Sequence, residues 1–324
     1  MSNLEKDPVE LVSNTTTTTA TVEILEPRDV PLGGPRAMGV RRTLPQRRRS
    51  LIGAWCFIDH YGPDDVAATG GMVVPPHPHT GLQTVSWLFA GEIEHRDSAG
   101  NHAMVRPGEL NLMTAGRGIQ HSEVSTAETT VLHGAQLWVA LPDATRHAAP
   151  FFEHYVPEPV HFGAATVRVF LGSLLGEHSP ATAFSPLVGA QIDLPAGASV
   201  DLPVDPSFEH GILVDTGRLT VQGEHVEVAH LGYLPLDHSS LRLDAGDTPV
   251  RALLIGGTPL GERIVMWWNF IGRDHDEIVA FREQWQSDVV AGSNDAGRFG
   301  TVQGYDGRPL PAPEMPNIRL KPRE

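Results

Sequence analysis

Cysteine is almost absent from this chain: of 324 residues, only Cys56 carries a thiol. No intrachain disulfide framework is possible, and nothing in the sequence demands an oxidising compartment. Trp55, Phe57 and Ile58 surround that thiol, so it is expected to be buried and inert. Long apolar runs are missing too. No stretch approaches the roughly 18 to 20 continuous apolar residues of a membrane-spanning helix, and the first residues lack the basic start and apolar core of a secretory signal. These two absences make the cytoplasm the expected location and exclude a membrane partner. Positive charge is the third shortage: 24 Lys and Arg stand against 39 Asp and Glu, a formal net charge of −15. That balance repels nucleic acid phosphates and anionic lipid, so no direct nucleic acid partner is expected. Arg41, Arg42, Arg47, Arg48 and Arg49 form the one basic cluster, read here as a solvated rim flanking a turn.

What is present is a succession of short runs rich in Val, Ile, Leu, Thr and Trp, such as Thr84 to Phe89 and Ala135 to Val139, each bounded by turn residues. This punctuation signals an antiparallel sandwich or barrel. Glu92 to Asp97 and His102 to Arg106 read as a hairpin around Gly100 and Asn101, residues that tolerate positive φ. The run Ile212 to Leu219 echoes Ser86 to Ile93, and His230 to Leu234 echoes Arg106 to Leu110, which implies two related barrels. The length suits two cores as well. Residues 1–21, with the Thr15 to Thr19 run and little apolar patterning, read as a disordered tail. Near the other end, Asp274 and Glu277 form a capping box ahead of Ile278, Phe281 and Trp285 at helical spacing. Residues 291–324, rich in Gly and Pro, read as an extended tail laid across a neighbouring surface.

Chemistry enters with two fragments, His77-Pro78-His79 and His121-Ser122-Glu123. Residues i and i+2 of a strand share a face, so each fragment offers two ligands to one side, and two neighbouring strands can bring all four around one ion. A lone His-x-His is weak evidence; the second fragment strengthens it. Three imidazoles and a carboxylate suit Fe, Mn, Co, Ni, Cu or Zn, with no thiolate to favour a softer ion. Pro78 has no N–H, which suits an edge strand or a bulge. Arg117 and Gln120 flank the second fragment and could orient an anion or peroxide, or simply pack a loop. His95, His102 and His133 are read as structural, with His133 the candidate for supporting a ligand from behind. His210 stands isolated and is read as a surface or hydrogen-bonded structural residue.

Longer stretches resemble the pirin family of the cupin superfamily: Phe57-Ile58-Asp59-His60 with Gly62-Pro63, His77 to Gly81, Gly91 to Ser98, Thr114 to Glu123, His133 to Val139, and more loosely Gly257 to Glu262. The resemblance implies an all-β bicupin, two double-stranded β-helix (jelly-roll) barrels with a short C-terminal helix. Residues 22–145 would form the metal-binding N-terminal barrel, and residues 146–290 a C-terminal barrel with the helix and no metal. Carried over, the ligands are His77, His79, His121 and Glu123, and the ion is one divalent metal, Fe(II) in first place. Gln83 departs from the many members that have Glu shortly after the His pair. The implied activity is that of a metal-dependent dioxygenase of quercetin 2,3-dioxygenase type. It would act on a small aromatic or enolic substrate with O₂, and Glu123 would serve both as ligand and as proton acceptor. The alternative is a non-enzymatic, iron-responsive regulator that binds a protein partner; a Zn-dependent hydrolase or isomerase is a third reading.

Overall fold

The apolar runs fold as antiparallel strands from end to end of a computed structural model that describes residues 22–31, 38–292 and 297–323. The expected disordered tail, residues 1–21, lies outside the described residues. Two barrels result, each a large sheet facing a smaller four-stranded one. In the first, the large sheet runs in the order Phe151–Tyr155, Leu110–Thr114, Leu82–Ala90, Val131–Ala140, Trp55–Asp65, Gly39–Leu44 and Arg28–Pro31. Its small sheet runs Val73–His79, Ile119–Ser125, Ile93–Asp97 and His102–Val105. The second barrel repeats this plan around Glu209–Thr216, Val250–Gly257, Leu187–Leu194 and Ala165–Leu174. The expected all-β, two-barrel architecture is what the chain adopts.

The internal echo has a structural counterpart. Leu82–Ala90 and Glu209–Thr216 both lie in large sheets, and each is followed by a glycine and a strand of the small sheet. Gly91 (φ 84°) and Gly217 (φ 81°) occupy the same left-handed corner. A Cβ would meet the Val131 carbonyl oxygen at 2.6 Å at the first and the Pro249 carbonyl oxygen at 2.3 Å at the second, so only glycine fits either turn.

Between the barrels lies a shared apolar core that includes Ile52, Trp55, Trp87 and Leu137 from the first and Phe170, Leu213, Leu253 and Ile255 from the second. Hydrogen bonds cross the same seam: Trp55 Nε1 donates to the Gly256 carbonyl (3.1 Å) and Trp87 Nε1 to Gln191 Oε1 (2.8 Å). The barrels are also interlaced. Glu23–Leu25, early in the chain, pairs with Leu231–Leu234 of the second barrel, while Phe151–Tyr155 extends the large sheet of the first through Leu110–Thr114.

The basic cluster departs from the expected solvated rim. Arg41 and Arg42 lie within Gly39–Leu44, and Arg42 is only 1% exposed. Its Nε and Nη2 grip Asp59 at 2.6 and 2.8 Å, and its guanidinium stacks 4.3 Å above Phe57. The partner is the residue directly opposite on Trp55–Asp65, a register that local charge patterning does not reveal. Arg47 and Arg48 are exposed, as expected. Cys56 is fully buried, and burial pushes its thiol far above the ordinary range, so it is inert.

The C-terminal helix spans His275–Gln284, with the Asp274 side chain accepting from the Glu277 N–H at 2.9 Å. It continues into a π-helical turn, Trp285–Val290, and buries Ile278, Phe281 and Trp285 against Trp267, Trp268, Phe270 and Phe299. Residues 297–323 then cross the small sheet of the first barrel, where Leu310 N–H donates to the Pro76 carbonyl at 2.8 Å and the Gln120 side-chain amide donates to the Gly300 carbonyl.

His210 is not at the surface and its ring is not hydrogen-bonded among the described residues, unlike the surface or hydrogen-bonded histidine expected. It is fully buried in the second barrel, and neither ring nitrogen has a partner among the described residues. Burial first, and His238 second, push its pKa down to about 4. The unfolded chain therefore takes up this proton first on acidification, and the stability present above about pH 6.5 is lost as the pH falls toward about 4. His210→Leu should flatten the fall of the urea midpoint between about pH 7 and about pH 5; a slope equal to wild type would rule this residue out as the source.

Candidate metal centre

The ligand fragments occupy two adjacent strands. Val73–His79 is the edge of the small sheet and pairs antiparallel with Ile119–Ser125, placing His121 opposite His77 and Gln120 opposite Pro78. Pro78 removes a donor where an edge can spare one. The register shifts between His121 and Glu123, so that Pro75 and Pro76 form the extra length of a bulge. This bulge carries the Pro75 carbonyl to 2.8 Å from His77 Nδ1. That bond fixes the tautomer: Nδ1 donates, and Nε2 is left as a buried lone pair with no partner among the described residues.

His77, His79 and His121 converge, each offering a ring nitrogen within 4.8 Å of the others, and all three are at most 1% exposed. His79 Nε2 and His121 Nε2 stand 3.1 Å apart. Two neutral imidazoles cannot both aim lone pairs there without a proton or a cation between them. Burial above all, joined for His79 and His121 by the neighbouring His77, holds all three well below the ordinary histidine range, which keeps them neutral and available as ligands. Trp138 closes one side, edge-on to His79 with ring centroids 5.1 Å apart and stacked on Phe57 at 3.9 Å. The donor set, nitrogen-rich with a carboxylate beside it, fits a divalent transition metal.

Glu123, fully buried, belongs to a second group that shares His121: His95, His121 and Glu123 also offer atoms within 4.8 Å of one another. The four sequence candidates are thus gathered as two overlapping groups rather than one. His95 lies directly opposite Glu123 on Ile93–Asp97, its ring 5.1 Å from that of His121 and stacked on Phe152 at 4.8 Å. Sequence reasoning set it aside as structural; the signal that could have found it is Asp97 at i+2, a ligand-type side chain on the same face. Tyr61 was missed as well. Its hydroxyl is buried without a partner among the described residues, and burial first, then the charges of Glu123 and Asp59, raise its pKa well above the usual value.

Two family models match the chain: Pirin over residues 37–139 and the Pirin C-terminal cupin domain over residues 189–290. A Pseudomonas aeruginosa protein named a putative quercetin 2,3-dioxygenase is 42% identical over 290 residues, covering 89% of each chain. This chain belongs to the pirin family. A pirin-like protein of Caulobacter vibrioides is 33% identical over 85% of this pirin and 94% of its own length. Among solved structures, a quercetin 2,3-dioxygenase from Acinetobacter baumannii superposes with a TM-score of 0.85 at 36% identity, covering 93% of this chain and 98% of that one. The bacterial pirin YhhW of Escherichia coli, solved with nickel(II), shares the fold at 18% identity, with a TM-score of 0.57 and coverage of 74% of this chain and 99% of its own.

The remaining sequence candidates of this pirin lie elsewhere. Gln83 is fully buried, and its amide donates to Thr114 Oγ1 and to the Thr182 carbonyl, both at 2.9 Å. Arg117 is exposed, and Gln120 alternates with His121 along its strand and holds the C-terminal segment, so neither turns toward the ligands. His102 is partly exposed and pairs with Glu94 at 2.7 Å. His133 does not stand behind a ligand. With His60 it approaches Asp215 Oδ1 of the second barrel, both at 2.6 Å, while Arg251 Nε takes Oδ2 at 2.6 Å. Arg251 already supplies the positive charge that a cation would, so this trio reads as a pin between barrels. Among the described residues no such group lies wholly in the second barrel, and no helix is long and apolar enough to cross a membrane.

Proposed function

We propose that this pirin is a divalent-metal dioxygenase of quercetin 2,3-dioxygenase type, with iron(II) held by His77, His79, His121 and Glu123 in the first barrel and no metal in the second. The observation that carries the reading is the buried trio of neutral imidazoles, with His77 Nε2 buried and without a partner among the described residues, next to a buried carboxylate. The names of its relatives support the substrate class. When bound, the metal supplies Lewis acidity toward an enolate oxygen. The imidazoles orient that centre, and the Trp138 and Phe152 rings against His79 and His95 keep bulk water from it. Glu123 takes the proton of the substrate's enolic hydroxyl at a carboxylate oxygen. Flavonol and O₂ would then yield a ring-opened ester and carbon monoxide.

The test is to load the protein with iron, add flavonol without oxygen, and then admit O₂. Flavonol loss matched by carbon monoxide is expected; intact flavonol beside stoichiometrically bound iron would overturn the reading. Glu123→Gln should lower turnover by about 10²- to 10⁴-fold, the usual worth of a positioned base, with the loss measured at saturating metal. A second reading, a regulator that answers iron by binding a protein partner, draws on the near-complete burial of all four candidates. Iron-dependent capture of a partner by protein inert toward flavonol would favour it.

A further inference from the structure

Behind His121, on the side away from His79, stands a chain of contacts that the four proposed ligands do not use. His121 Nδ1 is 3.3 Å from His95 Nδ1, and His95 Nε2 is 3.3 Å from Asp97 Oδ2. Asp97 is fixed in turn: its Oδ1 accepts from the N–H groups of Ala99 and Asn101 at 2.9 and 3.0 Å, and the Asn101 amide donates to both carboxylate oxygens. All three side chains of the chain are buried, at 1% to 3% exposure.

With both imidazoles neutral, one assignment of protons satisfies this line. Asp97 accepts, so His95 carries its proton on Nε2 and presents a lone pair at Nδ1. That lone pair accepts from Nδ1–H of His121, which leaves His121 Nε2 bare, on the side facing His79 Nε2. We propose that Asp97 and His95 are positioning residues that set the tautomer and ring angle of His121 and strengthen it as a donor to the metal. The pair works through His121 and does not touch the ion. The inference rests on the metal reading above but not on the dioxygenase reaction.

Asp97→Asn is the sharpest probe. The Asn carbonyl can keep the Ala99 and Asn101 bonds, while its NH₂ turns a donor toward His95 Nε2. His95 must then accept at Nε2 and carry its proton on Nδ1, facing the Nδ1–H that His121 needs in order to ligate through Nε2. His95→Gln breaks the line one residue later. Both variants should still bind one cobalt(II) per chain, but about 10- to 100-fold more weakly than wild type, the usual effect of losing an outer partner of a histidine ligand. The visible ligand-field bands of the cobalt-loaded protein should shift, and the metal-free variants should melt as the metal-free wild type does. A purely structural role would lower melting without moving the cobalt bands, and that result overturns the proposal. Wild-type affinity and spectrum in both variants overturn it too. Loss of stoichiometric cobalt from His95→Gln would make His95 a ligand and overturn it in a different way. A wild-type protein that binds cobalt but degrades no flavonol leaves this proposal standing while the dioxygenase reading falls; one that binds no cobalt overturns both.

Discussion

His77→Ala is expected to leave a folded protein that no longer retains stoichiometric metal. His77 is the imidazole whose tautomer is fixed by the backbone, through the Pro75 carbonyl, so its Nε2 lone pair is pre-aimed. Removing it deletes one of three nitrogen donors rather than an outer contact. The affinity should therefore fall by more than the roughly 10- to 100-fold that an outer partner is worth. Folding should survive, because the substitution also removes a buried polar atom that lacks a hydrogen bond among the described residues, and such an atom costs about 1–3 kcal/mol. Elemental analysis after gel filtration, beside far-ultraviolet circular dichroism, checks both halves. Metal retained at one per chain would show that His77 is not a ligand.

Asp215→Ala should be the most destabilising single change at the seam between the barrels. Its carboxylate has no exposed surface and meets His60, His133 and Arg251, so its removal strands three groups at once. Breaking a buried ion pair costs about 3–5 kcal/mol, and the partial exposure of Arg251 places the expectation at the lower end, about 3 kcal/mol. A fall in Tm on the order of 5 °C follows for a chain of this size. Arg251→Met should cost less, because it leaves both imidazole contacts in place. Acid should act on the same pin. Burial holds His60 below the usual imidazole range against the pull of Asp215; burial also works to raise the Asp215 carboxyl, but the two imidazoles outweigh it and hold it low. Stability from His60 is lost as the pH falls below about 6.5, and that from Asp215 only below about 3.8. Asp215→Ala keeps the burial of His60 and removes the carboxylate that offsets it, so the variant should lose stability on mild acidification more steeply than wild type.

Local patterning carried much of the fold. Alternating runs gave the strands, Asp274 and Glu277 gave the helix start, and the echo of Ser86 to Ile93 in Ile212 to Leu219 gave the second barrel, because each of these is written within a few residues. The two ligand fragments were legible for the same reason: i and i+2 spacing is a property of one strand. What escaped was set by partners distant in the chain. Arg42 was misread because Asp59 lies 17 residues away across a strand pair, and His133 because Asp215 belongs to the other barrel. His95 is the exception, since Asp97 at i+2 marks it locally, and only its place opposite Glu123 needed the strand register. His210 carries no sequence mark that separates a buried imidazole from an exposed one.

The exchange of edge strands limits how this protein can be divided. Cutting the chain between the barrels would leave Glu23–Leu25 on one fragment and its mate Leu231–Leu234 on the other, baring a sheet edge. Neither half is thus a self-sufficient inheritance. Co-expressed halves should reassemble through that borrowed strand, whereas either alone should be prone to self-association.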